Sequence, residues 1–349
     1  MTVSAPATWM AREIQEQPEA LRRTLDALLP REPEVAALAA RTRQVLFIAR
    51  GSSDAAALYG RYLCEVGAGR LATPASPSVA TRYRRRLDLS GVLAVALSQS
   101  GRTEEIVETL AWAADCGAAT VAITNDGDSP LAAAASLALV TEAGPERAVP
   151  ATKSYTTQLA ALVVLALGLG ADPGLRAGAR RIPDAVAEIL ESDVDPLVAA
   201  LSDVDGLIVS GRGFAASTAW ELSLKVRETC SIDASGLSYA DLLHGPIAVA
   251  GPRTPALLVA ANDGPVLAGV LALADRLRRA AVPVLAIGGG PALGADVLVP
   301  VPDLPEQLAP LALVVPGQLA VEALARRLGL DPDAPGGLKK VTQTDERPA

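Results

Sequence analysis

Two stretches of the chain match each other 162 residues apart. QVLFIARGSSDAAALYGRYLCE begins at Gln44 and GLIVSGRGFAASTAWELSLKVR at Gly206, so that Arg50-Gly51 falls on Arg212-Gly213. Further on, LAVALSQSG ends at Gly101 and ALLVAANDG at Gly264, now 163 residues apart. In both pairs a short apolar run passes into small or polar turn residues. Other such runs cover Thr120 to Thr124, Leu137 to Val140, Val284 to Ile287 and Val297 to Val301. Apolar runs of this length, separated by helical stretches of about a dozen residues, require a parallel sheet with crossover helices. The near-constant offset says that the unit is built twice. The expected fold is α/β, two tandem doubly wound parallel-sheet domains flanked by helices. A helical leader occupies 1–30, with helical patterning from Glu13 to Leu29. The first domain takes 31–180 and closes on a buried helix from Thr156 to Leu169. The second takes 190–330, and a tail runs over 331–349. The boundary falls within 172–200, where DPGLRAGARRIPDA supplies Pro, Gly and charge.

Composition removes several functions. The 349 residues carry a net charge of −8 and only 3% aromatics, which argues against a nucleic-acid or anionic-membrane surface. His244 is the single histidine, so no metal site with two histidines can form within one chain, and no cofactor is implied. Cys64, Cys116 and Cys230 form no CxxC pair; one disulfide is possible on paper, but scattered thiols fit a reducing cytoplasm better. The start lacks an apolar signal core, and the longest clearly apolar stretch, Leu159 to Ala171, is shorter than the roughly 20 residues of a spanning helix.

Ligands of open parallel sheets bind beyond the carboxyl ends of the strands. In the first half those ends carry Ser52 and Ser53, then Ser98-Gln99-Ser100-Gly101-Arg102-Thr103. Three hydroxyls, an amide and a glycine in that second loop suit a phosphate dianion; they equally suit an ordinary turn with N-capping serines. The second half has Phe214, Ala215, Asn262 and Asp263 at the matching places, and an aspartate there repels phosphate. AVPATKSYTTQ contains Thr152 and Lys153, able either to cap the following helix or to line a pocket. Glu221, Lys225 and Glu228 share one helix face, either as a solvated stripe or as a carboxylate tuned by its lysine for proton transfer. His244 lies in a Gly-Pro loop, where a lone histidine is structural or catalytic. Lys339 and Lys340 sit in a polar tail without clear periodicity.

Taken together, these segments resemble the sugar isomerase (SIS) domain pair, in particular the isomerase half of glucosamine-6-phosphate synthase and the stand-alone aminosugar-phosphate deaminases. WMAREIQEQPEALRRTL, SQSGRT, VPATKSYTTQL, AWELSLKVRE followed by HGP, and LKKVTQTDE all occur in the family's order. The resemblance implies phosphate contacts at Ser53, Ser98, Gln99, Ser100 and Thr103, with Ser52 beside them. It implies a proton-shuttling Glu228 with Glu221 and Lys225 as neighbours, and a ring-opening His244 lent by the other subunit of a homodimer. Lys340 becomes the amine that forms an imine with the open-chain ketose. Ala151, Thr152 and Lys153 fall at the sugar-contacting segment. Departures are Ala151 for a serine, Arg102 for a glutamate, Leu243 for a lysine and Arg50 for a cysteine.

The expected activity is therefore that of an aminosugar-6-phosphate deaminase/isomerase acting on a small phosphosugar. The alternatives are an aldose–ketose phosphosugar isomerase, a sugar-phosphate deglycase, or a phosphosugar-binding protein without catalysis. The synthase also needs a glutaminase domain with an N-terminal cysteine; here Thr2 follows Met1, and the isomerase-like part is expected to begin within about ten residues.

Overall fold

The structure is a computed structural model, and it describes residues 8–343. The chain divides into two compact units. One comprises residues 19–144, 154–182 and 341–343 of the described chain. The other comprises 8–18, 145–153 and 183–340.

The first of these holds five parallel strands: β1 (Gln44–Ile48), β2 (Leu71–Pro74), β3 (Val92–Leu97), β4 (Ala119–Thr124) and β5 (Leu137–Val140). Their order is β2-β1-β3-β4-β5. The inner strands are buried on both faces, which is why they read as unbroken apolar runs. Ala94, Ala96 and Ala122 keep that surface low, so Ile106, Leu110 and Ala113 of the Glu104–Asp115 helix can pack directly on it. The Lys153–Gly168 helix begins three residues before the expected start and is buried throughout. Gly60 lies so close to it that an added Cβ would stand 2.8 Å from Leu162 Cδ2.

The other unit repeats the arrangement with β6 (Leu207–Gly211), β7 (Ala234–Ser238), β8 (Ala256–Ala260), β9 (Val284–Gly288) and β10 (Val297–Val299), all parallel, in the order β10-β9-β8-β6-β7. Each sheet thus reverses its winding between its first and third strands, β1 and β3 or β6 and β8. There the carboxyl ends open a crevice. The Ala215–Cys230 helix, which carries Glu221, Lys225 and Glu228, packs on the Pro310–Arg327 helix. A Cβ on Gly317 would lie 2.3 Å from Leu222 Cδ2, so the two helices approach as closely as a glycine allows.

The structure adds three features to the sequence reading. β2 and β7 are strands that the apolar pattern does not announce. The patterned leader segment forms two helices, Trp9–Gln15 and Gln17–Leu28. Pro18 has no N–H to give to the Ile14 carbonyl, and Gln17 Nε2 donates to that carbonyl instead, at 3.2 Å. The boundary region carries short helices at Gly174–Ala179, Ile182–Ile189 and Asp195–Leu201. Cys64, Cys116 and Cys230 are all free and buried. No described helix is long and apolar enough to cross a membrane.

Candidate functional site

The hydroxyl-rich loop follows β3 and turns on Gly101. Its φ is +62°, and a Cβ there would sit 2.2 Å from Ser129 Oγ, so this position needs glycine twice over. Ser98 Oγ accepts the Gly101 amide at 3.2 Å and Ser100 Oγ accepts the Arg102 amide at 3.2 Å. A hydroxyl that accepts one hydrogen bond keeps its own proton to donate. The Gln99 carbonyl accepts the Asn125 amide at 3.1 Å, which fixes the loop against the end of β4. Thr103 stands at the N-cap of the Glu104–Asp115 helix without capping it. The cap comes from the tail: Glu104 N donates to Gln343 Oε1 at 3.0 Å, and Gln343 Nε2 donates to the Arg102 carbonyl at 3.1 Å.

After β1, Ser52 opens the Ser52–Tyr62 helix behind Gly51, and Ser53 is buried with its Oγ accepting Gln158 Nε2 at 3.1 Å. The nearby charges are paired, Arg50 with Glu105 at 3.1 Å and Arg102 with Asp126 at 2.8 Å. What this loop can offer an anion is hydroxyls, amides and a helix end.

The three charges on the Ala215–Cys230 helix are not a solvated stripe. Glu221 is 0% exposed and Lys225 1%, while the Glu228 side chain is 26% exposed. Lys225 Nζ donates to Glu228 Oε2 and lies 3.7 Å from Glu221 Oε1. Burial pulls the ammonium's pKa down, but Glu221, Glu228 and Glu146 together outweigh it and hold the lysine above its ordinary value. The outcome is a buried, protonated lysine beside a carboxylate that solvent can reach.

Glu146, which the sequence reading passed over, joins several predicted residues in this unit. Its carboxylate accepts Lys340 Nζ at 2.6 Å, the Thr152 amide at 3.0 Å and Thr152 Oγ1 at 3.2 Å. Lys340 also donates to the Ala148 carbonyl at 2.7 Å, so the tail lysine is anchored. Thr152 is fully buried, Ala151 half-buried, and Lys153 is buried in an ion pair with Glu16. His244 is exposed at the end of the Tyr239–Leu243 helix, and no hydrogen bond or ion pair ties its ring to another described residue. Among the described residues, no group of three or more His, Cys, Asp or Glu is placed to hold a metal ion.

At the matching end of β6 and β8 stands a carboxylate, that of Glu306. A Cβ on Gly264 would lie 2.5 Å from Glu306 Oε2, and one on Gly213 would lie 3.1 Å from Glu306 Oε1. Burial and the neighbouring Asp263 push the Glu306 carboxyl above its ordinary value. A Cβ on Gly51, the match of Gly213, would meet nothing within 4 Å.

With this geometry in place, comparison with known proteins shows that the chain belongs to the SIS family. The SIS domain family matches residues 39–168. A crystal structure from Silicibacter pomeroyi DSS-3, provisionally assigned as a phosphosugar isomerase, is 35% identical, with a TM-score of 0.86 over 94% of this chain and 100% of that one. The isomerizing glutamine–fructose-6-phosphate aminotransferase of Thermus thermophilus is 35% identical over 95% of this chain, which spans 58% of that relative's length. The glucosamine-6-phosphate deaminase of Thermotoga maritima shares the fold, with a TM-score of 0.78 over 96% of this chain and all of its own, at 22% identity.

Proposed function

We propose that the protein is an aminosugar-6-phosphate deaminase/isomerase that converts glucosamine 6-phosphate and water to fructose 6-phosphate and ammonia. The observation that carries this reading is the Lys225–Glu228 pair. Moving a proton between C1 and C2 of an open-chain sugar needs a carboxylate base on a rigid support, and an adjacent ammonium tunes it. Glu228 is the member of the cluster open to solvent, and Glu221 keeps Lys225 charged from within. Lys340 is the amine for an imine at C2 of the ketose, with Ala151, Thr152 and Lys153 in the segment that meets the sugar. Ser52, Ser53, Ser98, Gln99, Ser100 and Thr103 take the phosphate. Exposed His244 is the group that each copy of a homodimer lends to its partner for ring opening, and an active monomer in sedimentation would remove that part. The buried free thiols suit a cytoplasmic protein.

Ammonia release from glucosamine 6-phosphate is the test. Glu228→Gln should lower it at least about a hundredfold, the usual contribution of a positioned general base. Absence of release, or release undiminished in the variant, sinks the reading. The Silicibacter likeness favours one second reading, aldose–ketose isomerisation without nitrogen chemistry. Ketose formation from an aldose 6-phosphate with no ammonia from any aminosugar phosphate would select it.

A further inference from the structure

We propose that Glu13 is a positioning residue for Lys340, acting through the backbone of residues 146–148. Glu13 lies on the Trp9–Gln15 helix and is 2% exposed. Its two carboxylate oxygens accept two consecutive amides: Oε1 that of Arg147, and Oε2 that of Ala148 at 3.2 Å. Two adjacent N–H groups converging on one anion fix the local backbone. That backbone presents both acceptors of Lys340, the Ala148 carbonyl and the Glu146 carboxylate.

The next amide, Val149 N, donates to the Asp333 carbonyl at 2.8 Å. The Asp333 carboxylate in turn accepts Trp9 N at 2.8 Å and Met10 N at 2.7 Å. The Arg147 guanidinium stacks over Trp9 at 4.2 Å. The leader helix, the 146–149 segment and the chain leading into Lys340 therefore form one hydrogen-bonded ring. Burial pushes the Glu13 carboxyl up against the pull of the two amides, and Glu146 adds to the push. A carboxylate retained at that cost supplies two acceptors where a hydrophobe supplies none. A glutamine would turn its NH2 toward one of the two amides, donor against donor, and shift the segment that holds Lys340.

This inference rests on reading Lys340 as the imine-forming amine, and the experiment keeps the two apart. The chain has four lysines, so selective ¹³C,¹⁵N-lysine labelling of the full-length protein gives a countable NMR spectrum in which Lys340 is assigned by Lys340→Arg. In Glu13→Gln the Lys340 resonance and its titration midpoint should move. Borohydride trapping with fructose 6-phosphate should slow roughly tenfold, the loss expected when a hydrogen bond to a charged group is broken, with KM within about twofold. Thr8→Val removes the cap of the same helix, and so should lower its stability without moving Lys340. If Glu13→Gln does not fold, Glu13→Asp keeps the charge on a shorter arm and should give the same shift at smaller size. An unmoved Lys340 resonance in a folded Glu13 variant overturns the proposal, as does an equal shift in Thr8→Val. Absence of trapping in the wild type counts against the imine and leaves the NMR comparison to decide on Glu13.

Discussion

Replacing Lys225 with methionine keeps most of the stem's volume and removes its charge. Glu221, 0% exposed, then loses the ammonium 3.7 Å away. At an effective dielectric of 20, charges at that separation attract by about 4–5 kcal/mol. Measured losses for breaking one side of a buried pair run to about 3–5 kcal/mol. Glu228 adds less, because its open side can be hydrated by water. At roughly 2–4 °C per kcal/mol for a unit of this size, the transition of the Lys225-containing unit should fall by about 6–20 °C. The pH dependence follows from the direction of the lysine's shift. Its folded pKa is raised, so its contribution is fully present below the ordinary lysine value and is lost only as pH climbs through the higher folded one. Urea and thermal unfolding from pH 7 to pH 9 should therefore show a constant deficit. The double variant Glu221→Gln, Lys225→Met removes both charges and should recover about half of it. A single variant within about 0.5 kcal/mol of wild type, or a double variant no more stable than the single one, would refute the reasoning.

Other expectations need less argument. Gly101→Ala combines a positive φ with a 2.2 Å approach to Ser129 Oγ and should cost roughly 2–4 kcal/mol in denaturant unfolding, with loss of inorganic phosphate binding by calorimetry. Gln343→Ala uncaps the Glu104–Asp115 helix and should cost about 1 kcal/mol by the same measurement. A carboxyl whose folded pKa is raised contributes stability present below its ordinary pKa of 4.5 and lost as pH rises through the folded value. Glu306→Gln should therefore be more stable than wild type at pH 7 and indistinguishable from it near pH 4, as followed by thermal unfolding.

The strands that could be read from sequence are those with an unbroken apolar run, the edge strands β5 (LALV) and β10 (VLV) among them. β3, β4 and β8 are covered on both faces, and burial of both faces leaves a continuous apolar run. β2 and β7 lie at the sheet edges, and their sequences, LATP and ASGLS, carry a proline or small polar residues. Such strands are held by backbone pairing to β1 and β6, which leaves little mark on side chains. The site divides in the same way. SQSGRT was legible because unusual residue types are crowded into one turn. Glu146 was not: it is a single acid in a loop, and its partner Lys340 lies 194 residues further along. Glu13 and Gln343 likewise take their meaning from backbone amides that no local pattern reveals.

The two crevices show why a loop's spelling cannot be transferred between matched stretches. Gly101 and Gly264 align, and both have positive φ, so backbone geometry gives each the same reason to be glycine. Their neighbours differ in kind. Gly101 backs onto Ser129, a neutral hydroxyl behind the turn, and leaves the loop's hydroxyls free to donate outward. Gly264 backs onto a carboxylate delivered from a segment past β10, and Asp263 stands beside it. A phosphate entering there would meet two acids before any amide, and like charges at contact distance cost more than one helix end returns. The same strand order thus places neutral hydroxyls behind the turn in one sheet and a carboxylate in the other, and the residue that makes the difference, Glu306, lies outside the matched stretches.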